Sequence, residues 1–170
     1  MRRLLVVLGL LLVPTACYNT PDAAGAASGG PGGLAGAPAQ SFAVRRIDGG
    51  TDALANYRGR VVLMNLWATW CPPCQEEMPA LERFAREEAG KVVVLGIDQG
   101  ESASAARRYA LAHGVTFPIL VDDRQEYGRA YAALGLPTSV VVSRDGRVVK
   151  GVDGPMTVAQ MRAAVAPALK

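Results

Sequence analysis

The 170-residue sequence is poor in histidine, cysteine and aromatic residues, and each shortage excludes a class of protein. It has one histidine and three cysteines, and Phe, Trp and Tyr make up 6% of it. Three cysteines are too few for a disulfide-dense scaffold. A structural zinc site needs four ligands, which one histidine and a single close cysteine pair do not supply. We therefore expect no bound metal.

An excess of charge is also missing from the body of the chain. The formal charge is +3, and it falls to +1 when Arg2 and Arg3 are set aside. A nearly neutral body gives no electrostatic reason to expect nucleic-acid binding. Half of the residues are hydrophobic, which excludes a wholly disordered chain. The length supports one domain or two small ones, and no internal repeat is present.

The first residues have the pattern of a secretory signal peptide, which we assign to residues 1–16. Two arginines precede an unbroken apolar run over residues 4–13, and small residues follow it. Ten helical residues cover only about half of a bilayer's hydrocarbon core, so a membrane-spanning helix is not expected. Cys17 and the small residues before it resemble the lipobox of bacterial lipoproteins, although Pro14 replaces the usual leucine. The resemblance implies a lipid anchor on Cys17; the alternative is a stray cysteine after an ordinary cleavage site.

The next segment, residues 17–40, is predicted to be a flexible linker behind the lipid-attachment cysteine. Of the 23 residues from Tyr18 to Gln40, 16 are Gly, Ala or Pro. Such a segment buries little surface, and as a random coil it would reach on the order of 25–30 Å from the membrane. The folded domain is therefore predicted over residues 41–170.

Strand and helix patterns alternate through this domain, which predicts an α/β fold with a central mixed β-sheet flanked by helices. Continuous apolar runs indicate buried strands, and Asp-Gly between two runs indicates a hairpin. The predicted strands are 61–67, 91–97, 117–121, 139–143 and 147–152, with shorter ones at 42–47 and around Leu54. Helices are predicted near Cys71, after Ser102, between Asp123 and Leu134, and after Thr157. The third has Asp123 and Glu126 as a capping box and turns Tyr127, Ala130, Tyr131 and Leu134 inward.

The chemistry is concentrated in Cys71-Pro72-Pro73-Cys74, at the junction between a buried strand and a helix. This spacing and place are typical of a redox dithiol. Free N–H groups at the helix start favour a thiolate on Cys71, which is expected to attack a substrate disulfide. Cys74, one turn further, is expected to resolve the mixed disulfide.

Four neighbouring residues temper the reactivity of Cys71. Pro72 and Pro73 remove two N–H donors, and Glu76 and Glu77 oppose the helix dipole. We therefore expect only a moderately lowered pKa for Cys71, nearer to a reductant than to a strong oxidant. A half zinc site and a purely structural disulfide remain as alternatives for the pair.

The run from Asn65 to Pro79 strongly resembles the TlpA/ResA-like thiol–disulfide oxidoreductases, exported members of the thioredoxin superfamily. Residues 114–120, 135–139 and 145–149 match further motifs of that family in the same order. The resemblance implies a thioredoxin-like fold with an N-terminal β extension and a central βα insertion. It also implies that no cofactor is needed beyond the Cys71–Cys74 dithiol itself.

The resemblance implies roles for several residues around the pair. Pro137 matches the family's cis-proline, flanked by Leu136 and Thr138, which would offer backbone contacts to substrate. Trp70 and Pro72 would also lie at the substrate groove, and Pro79 would kink the active-site helix. Asn65 replaces the buried aspartate of minimal thioredoxins. Possible acidic substitutes are Glu76, Glu77 and Asp98, although each is more readily explained as a solvated helix-start or surface acid.

We expect an extracytoplasmic, lipid-anchored oxidoreductase that reduces disulfides of exported proteins, such as apocytochrome c or its assembly proteins. A membrane thiol-transfer protein would re-reduce it. A soluble secreted or periplasmic protein is the alternative location. The alternative functions are a disulfide-introducing oxidase, a peroxiredoxin-like peroxidase, a copper carrier and a redox-inactive binding module.

Overall fold

A computed structural model describes residues 30–170, which fold around one seven-stranded sheet. The strands are β1 Val44–Arg46, β2 Thr51–Asp52, β3 Val61–Trp67, β4 Val92–Gln99, β5 Ile119–Asp122, β6 Thr138–Val142 and β7 Val148–Asp153. Their order in the sheet is β2-β1-β5-β4-β3-β6-β7. The pairs β3–β4 and β4–β5 are parallel and the others antiparallel, so the predicted mixed sheet is confirmed.

In the described part of the chain, four α-helices cover the sheet: α1 Pro72–Glu87, α2 Ala103–His113, α3 Glu126–Ala130 and α4 Val158–Val165. Side chains alternate along each strand, so successive residues of β3 face opposite layers. Leu63 and Trp67 belong to the layer with α1, α2 and α4, whereas Met64 and Leu66 pack in the layer with α3. Every residue of β3 is buried, which explains why its sequence is apolar at every position except Asn65.

Two of the helices have well-formed caps at three of their ends. Ser102 caps α2, Gly114 ends it in a left-handed conformation, and Thr157 with Gln160 forms the capping box of α4. The prediction for α3 is wrong in two respects. The helix is only five residues long, and the carboxylate of Asp122, not Asp123, accepts the Glu126 and Tyr127 N–H groups.

Leu134 is 76% exposed, because α3 ends at Ala130 before the periodic pattern can carry Leu134 into the core. The segment around Leu54 differs less from its prediction. Thr51–Asp52 is a short strand, but Leu54–Tyr57 is a 3₁₀ helix.

The last part of the predicted linker packs on the domain. Pro31–Leu34 forms a 3₁₀ helix against β7, and Pro31 is buried there. Ala37 and Ala39 continue along the sheet by backbone hydrogen bonds to Val148 and Gly146. Gly151 permits this packing, because a Cβ at that position would overlap Pro31. The predicted signal peptide, Cys17 and the first part of the linker lie outside the described residues.

One edge of the sheet collects the chain segments that carry the candidate chemistry. Parallel strands β3, β4 and β5 all end there, and β6 begins there beside β3 through the pairing of Thr138 with Leu66. Ligand sites in α/β folds are formed by the segments that follow such strand ends. Within residues 30–170, no helix has the length and apolar character needed to cross a bilayer.

Candidate redox site

Cys71 and Cys74 form a disulfide at the start of α1, with an S–S distance of 2.05 Å. Cys71 is the N-cap residue, and its sulfur accepts the Cys74 N–H at 3.3 Å. Pro72 and Pro73 occupy the first two helical positions, where a missing N–H leaves no bond unmade. Because Pro72 and Pro73 have no N–H, the Cys74 amide is the donor to the Cys71 sulfur.

Both cysteines are nearly inaccessible in the disulfide form, with 3% of Cys71 and 1% of Cys74 exposed. They pack in the core layer with Trp67 and Met78. Pro72 is exposed beside them, and Trp70 is 63% exposed. Trp70 and Pro72 are therefore the exposed residues that flank the buried Cys71 in the chain.

The Leu136–Pro137 peptide bond is cis, at the start of β6. The Pro137 carbonyl accepts the Gly154 N–H at 2.8 Å, so it belongs to the fold's own hydrogen bonding. Thr138 is buried, pairs with both neighbouring strands, and its hydroxyl contacts Asp153 Oδ1 at 2.7 Å. Of the three residues assigned to substrate contact here, Leu136 is the one that lines an open groove.

That groove has a volume of about 300 Å³ and runs from Trp70 to the segment after α3. Leu134 and Leu136 form its apolar wall, and Gln99 and Arg129 supply polar groups. The sequence did not predict Leu134 as part of this surface, because its spacing suggested a core position. Trp70 and Leu134 are thus two large, exposed apolar side chains that line the same groove.

Beneath the cysteines lies a buried polar cluster formed by Asn65, Glu77 and Ser139. Asn65 Nδ2 donates to Glu77 Oε2 at 3.1 Å and to Ser139 Oγ at 3.0 Å. Glu77 Oε1 accepts the Met156 N–H at 2.8 Å. Burial raises the pKa of Glu77 to about 7, although the bonds from Met156 and Asn65 oppose this rise.

Among the three acids weighed as substitutes for the missing aspartate, only Glu76 occupies the solvated position expected of a surface residue. The expectation is wrong for Glu77, which is 3% exposed, and for Asp98, which is 0% exposed. Spacing could have identified Glu77, because it lies three residues after Cys74 and so shares its helix face. Pro79 lies inside α1, which continues through it to Glu87.

Two further acids, Asp98 and Glu101, lie where β4 ends, and no local sequence pattern connects them to the site. Glu101 accepts both the main-chain N–H and the hydroxyl of Thr69, two residues before Cys71. His113, at the end of α2, bonds to the Tyr109 carbonyl and stacks on the Tyr109 ring. No cluster of three potential metal-ligating side chains is found within residues 30–170.

Comparison with known proteins agrees with this geometry. Residues 35–150 match the model of the AhpC/TSA family. Thiol-disulfide oxidoreductase ResA from Geobacillus thermodenitrificans is 34% identical over 123 residues, covering 72% of this chain and 71% of that protein. ResA from Bacillus subtilis is 30% identical over 157 residues, covering 92% and 88% respectively.

Solved structures show the same architecture. A thiol:disulfide interchange protein of the thioredoxin family from Chlorobium tepidum superposes with a TM-score of 0.69 and 28% identity, covering 78% of this chain and 96% of that one. StoA from Bacillus subtilis superposes with a TM-score of 0.65 and 25% identity, covering 74% and 96%. The thioredoxin-like fold is thereby confirmed.

Proposed function

The chain belongs to the AhpC/TSA family and is a thiol–disulfide oxidoreductase of the ResA type, and on that premise we propose that it reduces disulfides of exported proteins outside the cytoplasm. The observation that carries this proposal is the Cys71–Cys74 disulfide at the helix start, beside a groove that can admit a polypeptide. The Trp70 and Leu134 side chains in this groove are large, apolar and exposed, so they favour a protein over a small thiol as substrate. Apocytochrome c is the proposed substrate.

The reduced form would act in two exchange steps. The Cys71 thiolate attacks one sulfur of the substrate disulfide, forming a mixed disulfide and releasing the other substrate sulfur as a thiolate, which takes a proton. The Cys74 thiolate then attacks the Cys71 sulfur, which restores the internal disulfide and releases the second substrate thiol. The substrate gains two electrons and two protons, and the Cys71–Cys74 dithiol loses them.

Glu77 is the proposed acceptor for the proton that Cys74 must lose before the second step. It is buried on the same face of α1 as Cys74, and burial brings its pKa to about 7, where a carboxylate can take up a proton near neutrality. Asn65 cannot accept this proton, because its side-chain amide does not take up a proton near neutral pH. In this proposal, Asn65 orients the Glu77 carboxyl through the 3.1 Å hydrogen bond.

The reduction potential of the Cys71–Cys74 pair tests the direction of electron flow. We expect a value below about −220 mV, as for reducing members of the superfamily, measured in glutathione or dithiothreitol buffers. A value near about −120 mV would instead identify a disulfide-introducing oxidase. In an insulin-reduction assay, Cys71→Ser is expected to remove activity, and Cys17→Ser serves as the matched control that retains it.

The AhpC/TSA match makes a peroxidase the second candidate function. Peroxiredoxins place a threonine three residues before the reactive cysteine, whereas Thr69 lies two before Cys71, and its hydroxyl hydrogen is directed to Glu101. Both features argue against peroxide chemistry. Consumption of hydrogen peroxide by the reduced protein at a rate matching its disulfide exchange would reverse this ranking.

We further propose that Cys17 carries the lipid anchor and that a membrane thiol-transfer protein returns electrons to the Cys71–Cys74 pair. The lipobox resemblance supports the anchor. Mass spectrometry of the N-terminal peptide from membranes is expected to show an acylated Cys17, and Cys17→Ser to release the protein from the membrane fraction. An unmodified mature N-terminus would leave a soluble exported enzyme.

A further inference from the structure

Asp98 is a buried acid without a conventional hydrogen-bond donor. It lies near the end of β4, is 0% exposed, and neither of its oxygens accepts a well-formed hydrogen bond from the described residues. The side chain beside it is the carboxylate of Glu101. An ionised carboxylate in such a place would be very unfavourable, whereas a protonated one can donate its hydrogen to Glu101.

Glu101 differs from Asp98, because both of its carboxyl oxygens accept hydrogen bonds, and both bonds come from Thr69. Oε2 accepts the Thr69 N–H at 2.6 Å, and Oε1 accepts the Thr69 hydroxyl at 2.7 Å. Both bonds need lone pairs, so Glu101 is the ionised partner of the pair. These bonds lower the pKa of Glu101 although its partial burial acts in the opposite direction.

Thr69 connects this pair to the redox centre. It lies two residues after the end of β3 and two residues before Cys71. The Cys71 N–H in the same segment bonds to the Ala68 carbonyl. Gln75, from the first turn of α1, donates its side-chain amide to the Thr69 carbonyl at 2.6 Å. Thr69 is therefore fixed by its N–H, its hydroxyl and its carbonyl, and two of these three contacts are to Glu101.

The surroundings of Asp98 hold further acids. Asp122 at the end of β5 adds its negative charge, as does Glu101. On the other side, Asp98 pairs in the sheet with Trp67 of β3, on which Tyr109 of α2 packs. The Trp67 Nε1 and Tyr109 hydroxyl are neutral and have no hydrogen-bond partner within residues 30–170. The negative charges of Glu101 and Asp122 therefore favour a neutral Asp98.

We propose that Asp98 and Glu101 are positioning residues of the redox site, in which a protonated Asp98 supports the ionised Glu101 that holds Thr69 and the segment leading to Cys71. Loss of the Asp98 proton would place two adjacent negative charges in a buried site and weaken the hold on Thr69. The inference does not depend on the proposed substrate or on the direction of electron flow.

The direction of the pH effect follows from the pKa of Asp98. Burial raises the pKa of Asp98 from an ordinary 3.8 to about 8. The side-chain hydrogen bond and the charge of Glu101 act in the same direction, and a hydrogen bond from the Glu101 main chain opposes the rise. Because the pKa of Asp98 is higher in the folded protein than in the unfolded chain, the stabilisation by protonated Asp98 is complete below pH 3.8. It is lost as pH rises through about 8. The hold on Thr69 is therefore expected at neutral pH and not at pH 9.

Nuclear magnetic resonance of the oxidised full-length protein tests the proposal without interference from thiols, since the disulfide does not titrate. Aspartate labelled with ¹³C at the carboxyl carbon reports the protonation of Asp98, and the Thr69 amide reports its bond to Glu101. We expect both signals to change together at an alkaline midpoint. If the Asp98 carboxyl of the wild-type protein titrates in the ordinary acidic range, this measurement by itself overturns the proposal.

Two variants assign the transition. Asp98→Asn keeps a donor toward Glu101 but cannot ionise, so the alkaline change at Thr69 is expected to disappear. Glu77→Gln is the matched control, which removes the other buried acid near the cysteines and is expected to leave the alkaline change intact. An alkaline change at Thr69 that survives in Asp98→Asn contradicts the proposed role.

A kinetic experiment separates positioning from simple structural support. The single-turnover reduction of the Cys71–Cys74 disulfide by dithiothreitol is compared between wild type and Asp98→Asn from pH 6 to pH 9. We expect rates that agree within about twofold at pH 7 and a ratio of variant to wild type that rises above pH 8. A ratio that stays constant over the whole range overturns the positioning role, since a purely structural residue would change all rates alike.

Discussion

Asn65 on β3 donates a hydrogen bond to Glu77 on α1 across 3.1 Å, so the buried carboxyl beneath this disulfide belongs to the helix and not to the strand. Minimal thioredoxins carry a buried aspartate at the position of Asn65. In this chain, the strand supplies an amide and the helix supplies the acid.

Glu77→Gln is expected to flatten the pH dependence of stability. The pKa of Glu77 is raised from 4.5 to about 7, so its stabilising contribution is complete below pH 4.5 and is lost as pH rises through about 7. The loss is on the order of 2–3 kcal/mol. Urea unfolding of the oxidised protein between pH 4.5 and 8 measures it. Glu76→Gln, at the exposed neighbouring position, is the control and should keep the wild-type slope.

The same variant tests the proposed proton transfer from Cys74. Resolution of a mixed disulfide between Cys71 and a test thiol is expected to slow by about 10²-fold at neutral pH, the scale of a general base. Formation of the mixed disulfide is expected to change much less. Stopped-flow measurements of the two steps distinguish them, and equal slowing of both would show that Glu77 acts on Cys71 or on the fold instead.

Asn65→Asp is expected to destabilise the protein increasingly as pH rises. The new carboxyl would lie within hydrogen-bond distance of Glu77, and two buried carboxyls that close cannot both ionise. We expect a loss of about 3 kcal/mol at pH 8 and a much smaller one at pH 5. Asn56→Asp is the matched control, because Asn56 also donates to an acid, Asp52, but at an exposed position. Similar costs in both variants would contradict the importance of burial.

Leu134→Ala is expected to weaken recognition of protein substrates. Leu134 is 76% exposed on the wall of the groove that begins at Trp70. Loss of such an apolar contact is expected to lower kcat/KM for a disulfide-bonded protein by about fivefold, and to leave reaction with a small aromatic disulfide unchanged. The control is Leu111→Ala, since Leu111 is 73% exposed but lies on α2 outside the groove. Equal effects of the two variants would remove Leu134 from the proposed binding surface.

Gly151→Ala is expected to dislodge the segment that begins at Pro31. A Cβ at Gly151 would overlap the Pro31 backbone, and overpacking of this kind costs about 1–3 kcal/mol. Faster amide hydrogen exchange at Gly36 and Ala39, whose N–H groups bond to the β6–β7 hairpin, would report the release. Gly135→Ala is the control, because a Cβ there meets nothing within 4 Å. Unchanged exchange in Gly151→Ala would show that the segment accommodates the methyl group.

The sequence determined the elements whose signals are local. The nearly continuous apolar run along β3 predicted a strand covered on both faces, and the strand is buried at every residue. Ser102 and Thr157 predicted two helix starts, because a capping side chain bonds to an amide only three residues away. The Cys-x-x-Cys pair was predictable for the same reason, since two residues of spacing bring the sulfurs together across one helical turn.

Tertiary structure decided which acids are buried. Glu77 and Asp98 have the same local signals as solvated acids, and they are buried because α1 lies over Asn65 and because β4 ends between β3 and β5. It also decided that Leu134 is exposed and that Pro31 packs on Gly151. These four outcomes depend on contacts between segments that are far apart in the chain. A local pattern of residues does not determine the free energies of such contacts.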